Sequence, residues 1–421
     1  MKAAAIPKRY LLILLTFLLS VLLYVDRACI SAAKGEIVST FDLTDKQFGW
    51  IGSAFALGYA LLQVPSGLLA DRFGPRILLA SVVCIWSAFT ALTGVAWNYV
   101  SMLVFRFLFG AGEAGAFPGV ARAAYSWIPM QKRGLVNGIN FSGSRIGAAM
   151  AMPVVAWMIG AIGWRMSFGM LAVLGFLFAV IWYAWFRNDP SEHPRISADE
   201  LSYILANRQK VEAGREKEKL SSGVLLSSKN MWLLMLQYFA SNFTFYFCLV
   251  WAFSYLKETF ELDLMQTGLF AALPFVGGAA GNWVAGWLID KIYRRGRWAL
   301  SRRVPAIIGF ALATLGFGAF VFMDNPYAAI VLLTAAIFGA DMTLPPSWST
   351  CIDIGRKHSG AVSGTMNMAG NIGSVITSLA FPYLKAWTGS ETPYFVAAAG
   401  LNVLAIGAWL LIRPQNLLEE Y

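Results

Sequence analysis

The chain has 421 residues, 58% of them hydrophobic and only 13% charged, whereas soluble proteins carry about 25% charged residues. That balance excludes an ordinary soluble enzyme. Twelve apolar spans of roughly 20 to 24 residues would use about 260 positions, close to the hydrophobic share, and the excess of 33 Lys+Arg over 23 Asp+Glu reads first as a signal of membrane topology.

Apolar stretches fall at 10–33, 48–69, 77–96, 100–122, 136–158 and 165–186, and again at 230–256, 265–289, 304–323, 327–350, 361–383 and 393–412. These are spans 1 to 12, six on each side of a charged, Pro-containing break. The chain is therefore expected to be an all-α membrane protein. Residues 1–186 form one six-helix bundle, 187–229 a cytoplasmic linker and 230–421 a second bundle. With the N-terminus inside, 24 basic residues lie on the cytoplasmic side and five in the opposite loops. The positive-inside rule thus puts both termini in the cytoplasm, and most basic residues are topology determinants.

Several chemistries are absent. The two histidines, His193 and His358, lie in polar connections, so no histidine relay is expected in the spans. Cys29, Cys84, Cys248 and Cys351 never pair as CxxC, and no metal or other cofactor is expected. There is no GxxxxGK[ST] phosphate loop, so transport would run on an ion gradient. Gly110, Gly112 and Gly115 spell GxGxxG, but no strand precedes them. They are read as packing glycines, together with Gly119.

The two halves repeat. Gly67, Asp71, Arg72, Gly74 and Arg76 stand at and just beyond the end of span 2, and Gly286, Asp290 and Lys291 at and just beyond that of span 8, at an offset of 219; Gly134, Gly138 and Gly147 recur at Gly360, Gly364 and Gly373, each 226 residues later. Two pseudo-symmetric bundles are implied, with a substrate site near the midplane. The GLLADRFGPR loop resembles the signature of the major facilitator superfamily, with the expected weaker copy at Asp290. By that resemblance Gly67, Asp71, Arg72, Gly74, Arg76 and Asp290 belong to a cytoplasmic gate, with Asp71 and Arg72 as its latch.

A few charges lie inside spans: Asp26 and Arg27 in span 1, Arg106 and Glu113 in span 4, Arg145 in span 5, and Asp341 in span 10. Each costs about 2.5–3.5 kcal/mol at the centre of a span unless paired or facing water, so they are expected to line a polar cavity. Counting about 1.5 Å per residue puts Asp26, Arg27 and Arg106 in an outer layer and Glu113 and Arg145 in a deeper one. Arginine suits a carboxylate because its fork of donors stays charged when buried. A proton carrier needs a carboxyl group whose pKa burial raises and a neighbouring arginine lowers, which fits Asp26 and Glu113. The competing reading makes these charges ion pairs that only lock spans 1 and 4 together. Arg145 either binds a second acidic group of the substrate or neutralises Glu113. Asp341 is either a polar packing residue or part of the exit path.

YVDR in span 1 with FRFLFGAGEAGAFPG in span 4 resembles the anion:cation symporter branch of the superfamily, which includes bacterial sugar-acid and organic-acid transporters, sialin and the vesicular glutamate transporters. That resemblance implies substrate binding by Arg27, proton coupling through Asp26 and Glu113, and tuning of those carboxylates by Arg106. It also suggests cavity contacts at Tyr59, Gln237, Asn367 and Asn371. Trp348, Tyr246 and Phe245 are further candidates for shaping the cavity. The expected protein is not an enzyme but a proton-coupled importer of a small organic anion in the bacterial inner membrane, acting as a monomer and binding no nucleic acid. The rival readings are an anion exchanger, a multidrug efflux protein, disfavoured by the buried arginines, and a transport-dead sensor.

Overall fold

The computed structural model describes residues 7–209, 222–262 and 264–416, with no strand among the described residues. In chain order the helices are α1 Lys8–Ala32, α2 Lys34–Phe41, α3 Asp45–Gly94, α4 Tyr99–Glu113, α5 Ala116–Trp127, α6 Arg133–Trp185, α7 Ala198–Asn207 and α8 Ser222–Ser227. They continue as α9 Lys229–Val250, α10 Ala252–Phe260, α11 Leu264–Arg294, α12 Trp298–Phe320, α13 Pro326–Met342, α14 Leu344–Gly355, α15 Ser359–Thr388 and α16 Thr392–Leu411. The middle of the expected linker, 210–221, lies outside the described residues.

Two helices are too long for one crossing. α3 has 50 residues and α6 has 53; at roughly 1.5 Å per residue each would extend about 75–80 Å, against a hydrocarbon layer of ~30 Å. Each is two spans joined at a glycine. Gly74 (φ 77°, ψ 158°) divides α3 and Gly163 (φ 76°, ψ 160°) divides α6, in a region of backbone space open essentially to glycine alone. Gly296 and Gly389 also have positive φ, and they are the only other glycines that do among the described residues. The four follow spans 2, 5, 8 and 11, so each three-span repeat turns on a glycine between its second and third spans.

Among the described residues, nine helical stretches are long and apolar enough to cross a membrane. Two of them, Gln47–Gly94 and Pro326–Thr388, hold two spans each, and the first limb of α6 supplies span 5, which gives twelve. Trp157, Val173, Leu315 and Val331 are 65% to 71% exposed, the surface expected where the solvent is lipid rather than water.

Close contacts gather the chain into two compact units. One holds Met1–Met130, Ile146–Lys210 and Arg356–Thr365; the other holds Gln131–Arg145, Val211–Gly355 and Met366–Tyr421. The repeated glycines explain how remote segments join a unit. In the first, a Cβ on Gly67 would strike the Gly360 carbonyl, and one on Gly364 would strike that of Gln63. In the second, a Cβ on Gly286 would strike the Gly134 carbonyl, and one on Gly138 that of Asn282. The echoing positions are therefore facing partners, where only hydrogen lets two backbones approach so closely.

The same contacts are fastened by helix caps. Asp71 accepts the backbone N–H groups of Gly360 (2.9 Å) and Ala361 (2.8 Å) at the start of α15. Asp290 accepts those of Gly134 (3.1 Å) and Leu135 (3.3 Å) at the start of α6. The first N–H groups of a helix have no partner within it, and its N-terminus favours negative charge.

Asp71→Ala and Asp290→Ala should each remove about 1–3 kcal/mol by leaving two helix-start donors unsatisfied, seen as a lower unfolding temperature of the purified protein; an unchanged temperature would reduce the motif to a plain turn. Gly74→Ala and Gly163→Ala should each lose about 1–3 kcal/mol to backbone strain. Gly74 should lose more, because its new Cβ would meet the Asn188 side chain whereas Gly163 has open space around it; equal losses would contradict that contact.

Candidate functional site

In the first unit, α1, α3 and α4 bring the predicted charges together. A Cβ on Gly110 would strike the Phe55 carbonyl, and one on Gly58 the Phe107 carbonyl. These bare positions let α3 press against α4 beside Arg27. Nε of Arg27 lies 3.0 Å from both oxygens of Glu113. The Glu113 side chain is fully buried, that of Arg27 16% exposed. The guanidinium sits over the Tyr59 ring at 4.5 Å, with Tyr24 at 5.0 Å and Phe55 at 5.3 Å. Arg106, also buried, lies over Phe109 at 4.6 Å and Phe55 at 5.1 Å.

Asp26 and Arg106 are not tied down in the same way. Asp26 is 1% exposed, and neither carboxylate oxygen has a hydrogen-bond partner within normal geometry among the described residues; the same is true of Nε of Arg106. The cluster holds two acids and two bases, yet only Arg27 and Glu113 are closely paired. Arg27 was expected in an outer layer above Glu113, but the reach of its side chain joins the two layers.

In the second unit Arg145 makes a two-pronged pair with Asp341: Nε to Oδ2 and Nη2 to Oδ1 are both 2.6 Å. Both are buried, and the Phe245 ring lies 3.6 Å from the guanidinium carbon. The expectation that Arg145 neutralises Glu113 is therefore corrected, since Asp341 occupies its fork. Asp341 is thus held in a buried ion pair with Arg145. Counting residues along a span gives depth but not the direction a side chain faces. Helical hydrogen bonding is interrupted after both buried acids: α4 ends at Glu113, and α13 ends one residue beyond Asp341.

The other predicted contacts of this unit are embedded in packing. The Gln237 carbonyl accepts from Ser347 Oγ (3.0 Å) and Trp409 Nε1 (3.2 Å), and its amide donates to the Leu234 carbonyl (3.0 Å). Trp348 donates to the Tyr238 hydroxyl at 3.0 Å and lies 5.3 Å from the Phe141 ring. Asn371 Nδ2 donates to the Asn367 carbonyl at 2.8 Å. Asn367 is buried and Asn371 half-buried.

The gate motif differs in detail from its expected form. Arg72 is exposed and stacks on Phe73, whereas Arg122 lies 3.8 Å from Asp71. Arg76 donates to the Tyr183 carbonyl (3.0 Å), and its backbone N–H to Asn188 Oδ1 (3.0 Å). A buried triad in the second unit escaped the sequence reading: Asp353 accepts from Arg133 (2.7 Å), Arg302 (2.9 Å) and the Trp298 indole (3.0 Å). Its arginines had been counted only as topology charges. In the connection after α6, burial and then the nearby Lys8 and Arg187 charges hold the His193 imidazole below its ordinary pKa.

The profile of the Major Facilitator Superfamily matches residues 16–378. The probable sulfoacetate transporter SauU of Cupriavidus necator is 33% identical over 97% of this chain and 95% of its own length. The probable galactarate/D-glucarate transporter GarP of Escherichia coli K12 is 32% identical over 98% of this chain and 96% of its own. The solved structure of the proton:xylose symporter XylE bound to 6-bromo-6-deoxy-D-glucose aligns with a TM-score of 0.78 at 16% identity, covering 98% of both chains, which shows a shared fold. The protein is thus a multi-pass membrane transporter rather than an enzyme, and the chain belongs to the Major Facilitator Superfamily.

Proposed function

We propose that this transporter imports a small organic anion, a carboxylate such as a sugar acid, together with protons by alternating access. The observation that carries the reading is the Arg27–Glu113 pair in its cage of Tyr24, Phe55 and Tyr59. A guanidinium already matched to a carboxylate can accept a substrate carboxylate in the same way. When substrate takes the fork, Glu113 loses its counter-charge in a fully buried place, and a proton removes the cost of leaving it there. Anion and proton are then bound as a linked pair. Asp26, close by and with no hydrogen bond of normal geometry among the described residues, is the second proton carrier, and Arg106 balances the two acids. The relatives reported for sulfoacetate and for galactarate/D-glucarate support an acidic substrate.

The 24-to-5 distribution of basic residues supports a bacterial plasma-membrane protein with both termini in the cytoplasm, working as a monomer. The Asp71 and Asp290 caps are the contacts to be released and remade as the transporter alternates. Protons moved in excess of the anion's charge would let membrane potential assist uptake.

A thermal-shift screen of the purified protein against a panel of organic acids should find a stabilising carboxylate, and Arg27→Ala should abolish that stabilisation. Retained affinity in that variant would sink the assignment of Arg27. In liposomes, Glu113→Gln and Asp26→Asn should still exchange labelled for unlabelled substrate yet fail to concentrate it under an inward proton gradient. Either variant that still accumulates substrate is cleared of proton coupling, and accumulation by both would favour an exchanger. Uptake by the unaltered protein should fall as external pH rises, because loading from outside requires proton binding.

A further inference from the structure

The chain beyond α16 folds back on the starts of two other helices. Asn230, buried at the start of α9, donates through Nδ2 to the carbonyls of Arg413 (2.8 Å) and Asn416 (3.3 Å) and accepts the Arg413 N–H at 2.9 Å. Arg303, in the first turns of α12, donates to the Ile412 carbonyl through Nε (2.8 Å) and Nη2 (2.5 Å). These bonds frame a cavity of about 410 Å³, lined by the cations Lys229, Arg303 and Arg413, the amides of Asn230 and Asn416, and the side chains of Leu410 and Leu411. No acidic residue lines it among the described residues.

The two leucines indicate what enters. They are 60% and 54% exposed and end a span of mean hydropathy 1.9, so they face lipid at the point where the span meets the membrane surface. One wall is thus cationic and hydrogen-bonding, and the other is continuous with the hydrocarbon layer. Arg303 spends two of its five N–H groups on Ile412, while Lys229 and Arg413 are exposed and make no ion pair among the described residues. A soluble anion would use the cations and leave the leucines without purpose. A topology determinant would need no cavity.

We infer that this cavity binds the headgroup of an anionic phospholipid. Lys229, Arg303 and Arg413 surround the phosphodiester, the asparagine amides meet headgroup oxygens, and an acyl chain descends along Leu410 and Leu411. Basic pockets at helix ends on the cytoplasmic side are suited to this chemistry.

The test uses the full chain purified in detergent and native mass spectrometry, titrating phosphatidylglycerol, phosphatidylethanolamine of the same acyl chains, and inorganic phosphate. The unaltered protein should hold one phosphatidylglycerol in preference to phosphatidylethanolamine. Lys229→Gln/Arg413→Gln, which changes two exposed side chains and keeps the Arg303 tie, should weaken that binding on the order of 30-fold. A control on the same face outside the cavity, Arg295→Gln/Arg297→Gln, should change it far less. Equal loss in both double variants, equal binding of the two lipids, or displacement of phosphatidylglycerol by inorganic phosphate alone would each overturn the assignment, the last by making this a soluble-anion site.

Discussion

Charge enclosed in a membrane protein has to be matched within the protein, and that requirement arranges most of the polar side chains of this chain. Removing one partner of a buried pair strands the other, at about 3–5 kcal/mol. Arg27 with Glu113, Arg145 with Asp341, and Asp353 between Arg133 and Arg302 are each closed by contacts of 3.0 Å or less. Asp26 and Arg106 depart from the pattern, being buried with a carboxylate and an Nε that lack hydrogen-bond partners among the described residues. The two clusters differ in their acids: Asp341 and Asp353 are each held by arginines, whereas neither oxygen of Asp26 has such a hydrogen bond among the described residues.

Aromatic side chains hold guanidinium groups in both clusters, Phe245 lying over Arg145 in the second. Arg27 and Arg106 share Phe55, with Tyr59 and Tyr24 completing the surround of Arg27 and Phe109 lying under Arg106. Ring faces attract a guanidinium while leaving its edge donors available. They therefore hold the cation in place without competing for its hydrogen bonds. That steady position is what the role proposed for Arg27 requires.

The twelve spans were legible in the sequence because hydropathy and length are properties of single segments. The charges inside them were equally plain, and so was the repeat of Gly67 with Gly286 and of Gly134 with Gly360. Partnership was harder, because it depends on which way each helix faces. Arg145 lies at a depth that suits Glu113, yet its fork is filled by an acid 196 positions away. The resemblance suggested Gln237 as a cavity contact, but nothing in the sequence indicated that Ser347 and Trp409 donate to its carbonyl. Arg133 and Arg302 were hidden among loop cations because no count separates a buried basic residue at a helix start from an exposed one. Arg122 lay at the right end of span 4, but its approach to Asp71 is a fact of tertiary structure. The four turn glycines were present in the sequence too, but without backbone angles Gly74, Gly163, Gly296 and Gly389 are four among 39.

The caps at Asp71 and Asp290 also bear on how the molecule is assembled. Asp71 binds a helix start 289 positions later in the chain, and residues Arg356–Thr365 are grouped with the first unit. At ribosomal speeds of about 5–20 residues per second, Asp71 leaves the ribosome roughly 15–60 seconds before the amides it will bind. The first unit must therefore enter the membrane with that carboxylate still waiting at the water boundary, and it is completed only when span 11 arrives. Asp290 meets the opposite situation, since the start of α6 has been made before it. The first unit is thus completed only after much of the second has been made, so its Asp71 cap cannot form before the start of span 11 emerges.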